Sequence, residues 1–432
     1  MKFYSTNSPS VKVSLKEAVL KGLAADNGLY MPEYIPVIDP ETMDNIENMT
    51  LSEIGFMALK PFFCPDIPED DFKALVEDAL SFEMPTVKVC GDIYSLELWH
   101  GPTLAFKDVG GRFMARILSH FVKGQDKEIN ILVATSGDTG SAVANGFYKV
   151  PGIKVFVLYP KGLVSEVQEK QFTTLGENIT SIEVEGTFDD CQRMVKQAFL
   201  DKELNEALTL TSANSINLAR LLPQSIYYHH AYAQMKKAGN TKDLVFCVPS
   251  GNFGNITAGL VAQTMGLPVK RFIAATNIND IVPQYLESGE YKPAPSKATI
   301  ANAMDVGDPS NFVRIMDLYD SEHKKVTANL TGYSFTDEEI RETVKRVDVD
   351  NKYILDPHGA TGFKALENDL EETEVGVFLE TAHPAKFPEV VEPVIGRKVE
   401  VPTRLQAFMN GEAKNISMKA DMQELKKYLM NK

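Results

Sequence analysis

The sequence predicts an α/β protein with largely parallel sheets, and two features of the chain after residue 85 carry this prediction. Short runs rich in Val, Ile and Leu alternate with amphipathic stretches long enough to form helices. These runs are predominantly apolar, as is typical of strands buried on both faces of a parallel sheet. Gly, Ser, Thr and Asn cluster where several strands should end, which is where ligands bind in such sheets.

Residues 1–85 have a different pattern, because short helical stretches there are joined by Pro-rich turns. We predict a mainly helical N-terminal domain, with helices over 14–23, 52–59 and 69–82. The rest of the chain, 86–432, is predicted to form two open sheet subdomains. The smaller subdomain lies roughly within 100–230, and the larger takes the remainder.

The strand predictions after residue 85 rest on the apolar runs themselves, and the helix predictions on the amphipathic stretches between them. Strands are predicted at 129–134, 155–159, 179–184, 244–248, 272–275 and 375–379. Helices are predicted to begin at Ser141 and at Val164, and one is predicted to span 188–200.

Composition limits the class of partner. With 432 residues, of which 44% are hydrophobic and 24% charged, the chain is an ordinary globular protein of two or three domains. A net charge of -15 repels nucleic acid, although a local positive site can still bind a small anion. No apolar run reaches membrane length, the N-terminus lacks a signal-peptide core, and the four cysteines lack CxxC spacing. We therefore expect a soluble, cytoplasmic protein with reduced thiols.

Residues 250–255, Ser-Gly-Asn-Phe-Gly-Asn, follow a predicted strand and precede a helical stretch. The glycines let the backbone turn tightly so that N–H groups converge, and the helix adds its partial positive charge. Together these features make a phosphate cradle, although a turn that binds nothing has the same pattern. The segment is neither GxGxxG nor a Walker loop, so a dinucleotide or ATP is disfavoured.

Two further segments are ambiguous on their own. Residues 135–141 also lie between a strand and a helix and offer hydroxyls to an anion, but helix capping by Thr139 or Ser141 explains them equally simply. Lys107 lies between apolar neighbours, and a desolvated lysine can act as a nucleophile or base. Asp108 could instead pair with Lys107 in a plain salt bridge.

Two other kinds of catalytic site are poorly supported. The seven histidines are dispersed and the sequence has no HExxH or CxxC motif, so no metal site is expected. A serine hydrolase would need a GxSxG elbow, which the sequence lacks.

Taken together, six ordered segments resemble the threonine synthase family. The segments are 3–32, 100–108 (His-Gly-Pro-Thr-Leu-Ala-Phe-Lys-Asp), 134–140, 214–224, 249–255 and 380–387 (Glu-Thr-Ala-His-Pro-Ala-Lys-Phe). The resemblance runs almost from end to end, and six matches in the same order are highly specific. It implies fold type II of the pyridoxal-phosphate (PLP) enzymes, the tryptophan synthase β-like fold.

The resemblance also implies a cofactor site. Lys107 would carry pyridoxal 5'-phosphate as a Schiff base, and Thr381 would hydrogen-bond the pyridine nitrogen. Asp138 would lie near the ring oxygen, where many relatives of this fold have asparagine. A carboxylate beside a phenolate needs a shared proton or a different role. The cofactor phosphate would be held by Gly251, Asn252, Phe253, Gly254 and Asn255.

The implied activity is that of a carbon–oxygen lyase acting on phosphate in threonine biosynthesis. O-phospho-L-homoserine and water would give L-threonine and phosphate, with phosphate leaving from Cγ and water adding at Cβ. Arg220 suits the substrate phosphate because its planar fork gives directional, charge-assisted hydrogen bonds. The substrate-binding residues implied are Thr135, Ser136, Thr139, Ser215 and Arg220.

Two alternatives remain open from the motifs. A related PLP phospho-lyase would share most of them and release a 2-oxo acid and ammonia from the same kind of substrate. A catalytically inactive relative that acts as a binding protein is disfavoured, because Lys107, residues 251–255 and Thr381 are all present. The sequence does not decide between a monomer and a dimer.

Overall fold

A computed structural model of the protein describes residues 1–124 and 128–431. The N-terminal helices are α1 (Leu15–Lys21), α2 (Pro40–Asp44), α3 (Leu51–Phe63) and α4 (Glu69–Ala79). All three helices predicted in this region are confirmed, with shifted ends. A small antiparallel sheet was not predicted, because its strands are short and the longest is mostly exposed: β1 (Phe3–Ser5), β2 (Ser8–Val13) and β3 (Tyr30–Pro32).

The later strands build two more sheets. They are β4 (Thr86–Cys90), β5 (Ile93–Glu97), β6 (Ile129–Ala134), β7 (Ile153–Pro160), β8 (Ile179–Glu185), β9 (Thr209–Ser212), β10 (Asp243–Pro249), β11 (Arg271–Thr276), β12 (Leu330–Ser334), β13 (Glu374–Glu380) and β14 (Ile416–Lys419). One sheet has the order β12-β11-β10-β13-β5-β4, and the other β14-β8-β7-β6-β9. Every pairing in them is parallel except that of β4 with β5, so the predicted α/β class is confirmed.

Helices cover these two sheets. They are α5 (Lys107–Val122), α6 (Asp138–Phe147), α7 (Glu166–Thr173), α8 (Phe188–Leu200), α9 (Lys202–Ala207), α10 (Leu218–Leu221), α11 (Ser225–Lys237), α12 (Gly254–Thr264), α13 (Ile281–Ser288), α14 (Phe312–Leu318), α15 (His323–Thr327), α16 (Asp337–Asn351), α17 (Pro357–Asp369), α18 (Pro388–Ile395), α19 (Thr403–Met409) and α20 (Met422–Met430). Single 3-10 turns occur at Ile46–Asn48, Leu222–Gln224, Asn302–Met304 and Pro384–Lys386.

The strands predicted from apolar runs are all present, with ends that differ by at most two residues. The helix over 188–200 is confirmed with the same bounds, and the one predicted from Val164 begins at Glu166. The helix predicted from Ser141 begins at Asp138, because Gly137 adopts a φ of 140° that bends the chain into the helix there.

An aromatic cluster attaches the N-terminal helices to α5. The Phe63 ring stacks on Phe72 with centroids 5.3 Å apart and meets Phe113 of α5 edge-on at 5.0 Å. All three rings are fully buried in one continuous apolar core. Because Lys107 is the first residue of α5, this packing fixes the helix that carries it.

Candidate active site

One cavity brings together polar segments from both parallel sheets. Residues 135–139 follow β6, residues 250–255 follow β10, and Thr381 follows β13, so the carboxyl ends of three strands meet there. Every predicted site residue except Asp138 lines this cavity. They are Lys107, Thr135, Ser136, Thr139, Ser215, Arg220, Gly251, Asn252, Phe253, Gly254, Asn255 and Thr381.

Backbone pairing holds Lys107 next to Thr381. The Phe106 N–H donates to the Thr381 carbonyl at 2.8 Å, and Ala105 forms an antiparallel bridge with Ala382. The Tyr227 hydroxyl donates to the Phe106 carbonyl at 2.5 Å. The two residues that should hold opposite ends of the cofactor ring therefore have a fixed separation.

The Lys107 amine is fully buried, and its charge is disfavoured. Burial lowers the pKa of Lys107 to about 8; nearby Arg220 and Lys386 act in the same direction, whereas Asp138 opposes them. Asp108 does not pair with Lys107. Its carboxylate accepts the Thr103 N–H at 2.8 Å and the Thr103 hydroxyl at 2.6 Å. The salt bridge that the sequence left open is therefore not formed, and a neutral amine is available close to physiological pH.

Residues 251–255 form an anion cradle. Their backbone N–H groups find no hydrogen-bond acceptor within the described parts of the chain, and the N-terminus of α12 begins among them at Gly254. The left-handed residue is Phe253, with a φ of 59°, and not a glycine as expected. Gly251 is needed for a different reason, since a Cβ there would lie 2.6 Å from the Ala303 carbonyl oxygen.

The two asparagines of the cradle hold its shape. The Asn255 amide donates to the Pro249 carbonyl at 2.8 Å, which closes the turn on itself. The Asn252 amide donates to the Ser215 hydroxyl oxygen at 2.7 Å, and its carbonyl accepts the Ser310 N–H at 2.6 Å. An anion in the cradle would therefore be bound mainly by backbone N–H groups.

Arg220 is a buried cation without a counter-ion. Its side chain is 3% exposed, and no carboxylate of the described residues lies within ion-pair distance. It donates to the Ala213 carbonyl, while its Nε is buried without an acceptor among the described residues. Burial lowers the pKa of Arg220 to about 10, which still leaves it charged. An unpaired buried guanidinium that lines a cavity is well suited to bind an anion.

Hydroxyl groups complete the wall beside Arg220. The Ser215 oxygen accepts from the amides of Asn252 and Asn311, at 2.7 and 3.2 Å, which leaves its proton free for a ligand. The Thr135 oxygen likewise accepts two backbone N–H groups. Helix capping does not explain Thr139 or Ser141, since neither side chain caps α6 and the Ser141 hydroxyl shares its single proton between the Gly137 and Gln168 carbonyls.

Asp138 lies beside the cavity and not in its wall. One of its oxygens is 2.6 Å from the Lys386 amine and also accepts from the Gln168 amide at 2.9 Å. Burial alone would raise the pKa of Asp138, but Lys386 and Lys107 together hold it at about 2. The carboxylate is thus ionised and already paired with Lys386, and its contact with the cofactor stays a prediction.

Sequence reasoning missed one side of the cavity. Residues 302–306, together with Asp308, Ser310 and His358, line it. The His358 ring accepts the Ala303 N–H at its Nε2, at 3.2 Å, and its Nδ1 bonds to Asp356 at 2.6 Å, which ties this segment to α17. No apolar strand precedes these residues, so the rule that ligands lie at strand ends could not find them.

The residues present fit pyridoxal phosphate. The site combines a buried amine, a set of free backbone N–H groups for a phosphate, and a Thr381 hydroxyl with no partner in the described parts of the chain. These three features account for the whole cofactor, so the positive charge of Arg220 is left to bind a second anion.

Family comparisons cover nearly the whole chain. Residues 83–380 match the family described as "Pyridoxal-phosphate dependent enzyme". Residues 2–80 match "Threonine synthase N terminus", and residues 359–429 match "Threonine synthase, C-terminal". Among curated relatives, threonine synthase of Escherichia coli is 44% identical over 431 residues, covering all of both chains. That of Saccharomyces cerevisiae is 36% identical, covering 90% of this chain and 88% of its own.

Solved structures agree with these matches. Threonine synthase from Escherichia coli superposes with a TM-score of 0.94 at 43% identity over all of both chains. PLP-bound threonine synthase from Brucella melitensis gives 0.93 at 34% identity, covering 100% of this chain and 99% of that one. Maize serine racemase, at 15% identity and a TM-score of 0.54, shares the fold alone. The chain therefore belongs to the threonine synthase family of pyridoxal-phosphate-dependent lyases.

Proposed function

We propose that the protein converts O-phospho-L-homoserine and water to L-threonine and phosphate, the last step of threonine biosynthesis. The observation that carries this proposal is the presence of two anion-binding positions in one cavity with a buried lysine. The cradle at 251–255 accounts for the phosphate of the cofactor. Arg220, buried without a counter-ion, is then left for a second phosphate, which the substrate supplies.

Three parts of the chain would hold the cofactor. Lys107 would anchor it covalently, the backbone of 251–255 would bind its phosphate, and the Thr381 hydroxyl would hydrogen-bond its pyridine nitrogen. A hydroxyl at that position does not require the nitrogen to be protonated. When bound, the cofactor supplies an electron sink for negative charge that develops on the substrate.

Lys107 is the group that moves protons. Its pKa of about 8 leaves a neutral fraction that can remove a proton from Cα and then one from Cβ. Once phosphate has left, one proton goes to Cγ, which becomes the methyl group of threonine, and one returns to Cα after water has added at Cβ. Lys107 is the first residue of α5, and the preceding Phe106 is hydrogen-bonded through its backbone to Thr381. This attachment keeps the Lys107 amine on one side of the substrate. Burial keeps bulk water away from this exchange, so the water that adds at Cβ has to enter the cavity.

Arg220 and its neighbours bind the group that leaves. Negative charge grows on the phosphate oxygen as the bond to Cγ breaks, and a preorganised guanidinium stabilises it. Ser215 and Thr139 assist Arg220, while Thr135 and Ser136 bind the substrate carboxylate near the N-terminus of α6.

We also propose the division of the chain into an N-terminal domain, 1–85, and a catalytic region, 86–432. The strand β14 pairs with β8, so the smaller subdomain gains a C-terminal strand besides the residues within 100–230.

A cytoplasmic location is supported by the four cysteines, which form no disulfide. No helix in residues 1–124 or 128–431 has the length and apolar character to cross a membrane.

Product analysis tests the proposal. The purified protein, loaded with PLP, is incubated with O-phospho-L-homoserine, and threonine, phosphate and 2-oxobutanoate are quantified. We expect threonine and phosphate in equal amounts, and no turnover by Lys107→Ala. Equal amounts of 2-oxobutanoate and phosphate would identify a phospho-lyase instead, and no turnover of any kind would identify an inactive relative. Arg116→Ala is a matched control, because Arg116 lies on the same helix but pairs with Asp78 away from the cavity.

A further inference from the structure

Lys386 is a fully buried cation that the proposed reaction does not use. Its side chain has no exposed surface. Its amine lies 2.6 Å from an Asp138 oxygen and donates to the Thr103 carbonyl at 2.8 Å. A lysine is rarely buried completely without a specific partner, and here both of its partners adjoin the cofactor lysine.

These contacts connect three segments around Lys107. The Thr103 carbonyl also accepts from the Gln171 amide at 2.9 Å, and Thr103 in turn holds Asp108, the second residue of α5. Asp138 opens α6 and is fixed from the other side by the Gln168 amide. Lys386 therefore joins the start of α5, the start of α6 and the 3-10 turn Pro384–Lys386.

The two charges of the Lys386–Asp138 pair act on Lys107 in opposite directions. A lone buried carboxylate beside Lys107 would favour the charged amine, whereas a lone buried ammonium would disfavour it. Both effects are present, since Asp138 raises the pKa of Lys107 and Lys386 lowers it, as Arg220 also does. Lys386 therefore offsets part of the effect of Asp138 on Lys107, while burial keeps the pKa of Lys107 low.

We propose that Lys386 is a positioning residue that holds the Asp138 carboxylate against Gln168, beside the cavity, and opposes its negative charge next to Lys107. The proposal rests on the proposed function in one respect, namely that Lys107 is the lysine that binds the cofactor.

A double-mutant cycle separates charge balance from simple packing. Lys386→Met leaves Asp138 buried without its cation, and Asp138→Asn leaves Lys386 buried without its anion. The double variant removes both charges and keeps similar side-chain volumes. The readouts are the dissociation constant for PLP and the pH at which the apoprotein reacts half-maximally with PLP. The second readout reports on the Lys107 amine and needs no substrate turnover.

We expect Lys386→Met to bind PLP about tenfold more weakly at neutral pH for each unit by which it raises the pKa of Lys107, because the neutral fraction of the amine falls tenfold. The pH midpoint should rise in Lys386→Met and fall in Asp138→Asn. The double variant should return the midpoint towards the wild-type value and bind PLP more tightly than Lys386→Met. As a control, the partly buried Lys426–Asp201 pair lies away from the cavity, and Lys426→Met should change neither readout.

Midpoints that shift in the same direction in both single variants would overturn the proposal, as would a double variant no better than the worse single one. If Lys386→Met does not fold, the comparison between Asp138→Asn and the double variant decides in the same way. Failure of the proposed function is recognised separately, because it would show in the wild type as PLP trapped by borohydride on another lysine or as a product other than threonine.

Discussion

Replacing Arg220 with Ala should lower kcat/KM for O-phospho-L-homoserine much more than it changes the affinity for PLP. The Arg220 side chain is 3% exposed and has no carboxylate partner among the described residues, so a bound phosphate would supply its missing counter-charge. Removing one member of a buried, hydrogen-bonded charge pair costs about 2–5 kcal/mol. That loss corresponds to a fall of about 30- to 5,000-fold in kcat/KM.

Arg220→Lys separates charge from geometry. Lysine keeps the positive charge but loses the planar fork, so we expect a raised KM with a smaller fall in kcat than in Arg220→Ala. Phosphate release is followed at varied substrate concentrations, and inorganic phosphate is added as a product inhibitor.

A Cβ at position 110 would lie only 3.0 Å from the Arg220 Nε, so Gly110 lets the guanidinium pack closely against α5 in one well-defined place.

Both variants need a control for folding, because Arg220 also donates to the Ala213 carbonyl and so supports residues 213–216. Arg116→Ala provides it, with the melting temperature of each apoprotein measured alongside. The reasoning is refuted if Arg220→Ala binds substrate and phosphate normally. A variant that loses PLP while phosphate inhibition is unchanged would place Arg220 at the cofactor instead.

Three further outcomes are expected. Gly254→Val should weaken PLP binding with little change in the melting temperature of the apoprotein, since a Cβ there meets only side chains at 3.2 Å or more. Gly251→Val should weaken PLP binding and also lower the melting temperature, because its Cβ would meet backbone atoms. Calorimetry with and without PLP distinguishes the two variants. The rate at which apoprotein binds PLP should rise with pH, with a midpoint near pH 8, because the lowered pKa of Lys107 makes the reactive neutral amine predominate above it; a flat profile contradicts this. Arg314→Met should lower the free energy of unfolding by about 3 kcal/mol or more, because several buried carbonyls, including that of Tyr30, lose their hydrogen-bond donor. Urea denaturation measures this change in the free energy of unfolding.

Much of the fold could be predicted because most of its parallel strands are largely apolar runs, such as 129–134 and 244–248. The same logic located most of the site, since the polar residues after β6, β10 and β13 meet at one edge. Strand length was the limit elsewhere. The three strands of the N-terminal sheet have three to six residues and little hydrophobic pattern, so their pairing depends on tertiary contacts that periodicity does not encode.

Partnerships between distant residues could not be predicted either. Asp138 and Lys386 are far apart in sequence, and only the meeting of α6 with the turn after β13 makes them an ion pair. The left-handed residue of the cradle is Phe253, although glycine is the residue usually associated with that conformation. Gly251 is required by the close approach of Ala303, which belongs to a segment without any strand signal.

Turnover in water enriched in the heavy oxygen isotope tests the central claim most directly. If phosphate leaves from Cγ with its bridging oxygen and water then adds at Cβ, the label should appear in the hydroxyl group of threonine and be absent from the released phosphate. Mass spectrometry of both products reads this out. Label in phosphate, with homoserine as the other product, would mean that the bond to phosphorus is hydrolysed and that the lyase account is wrong.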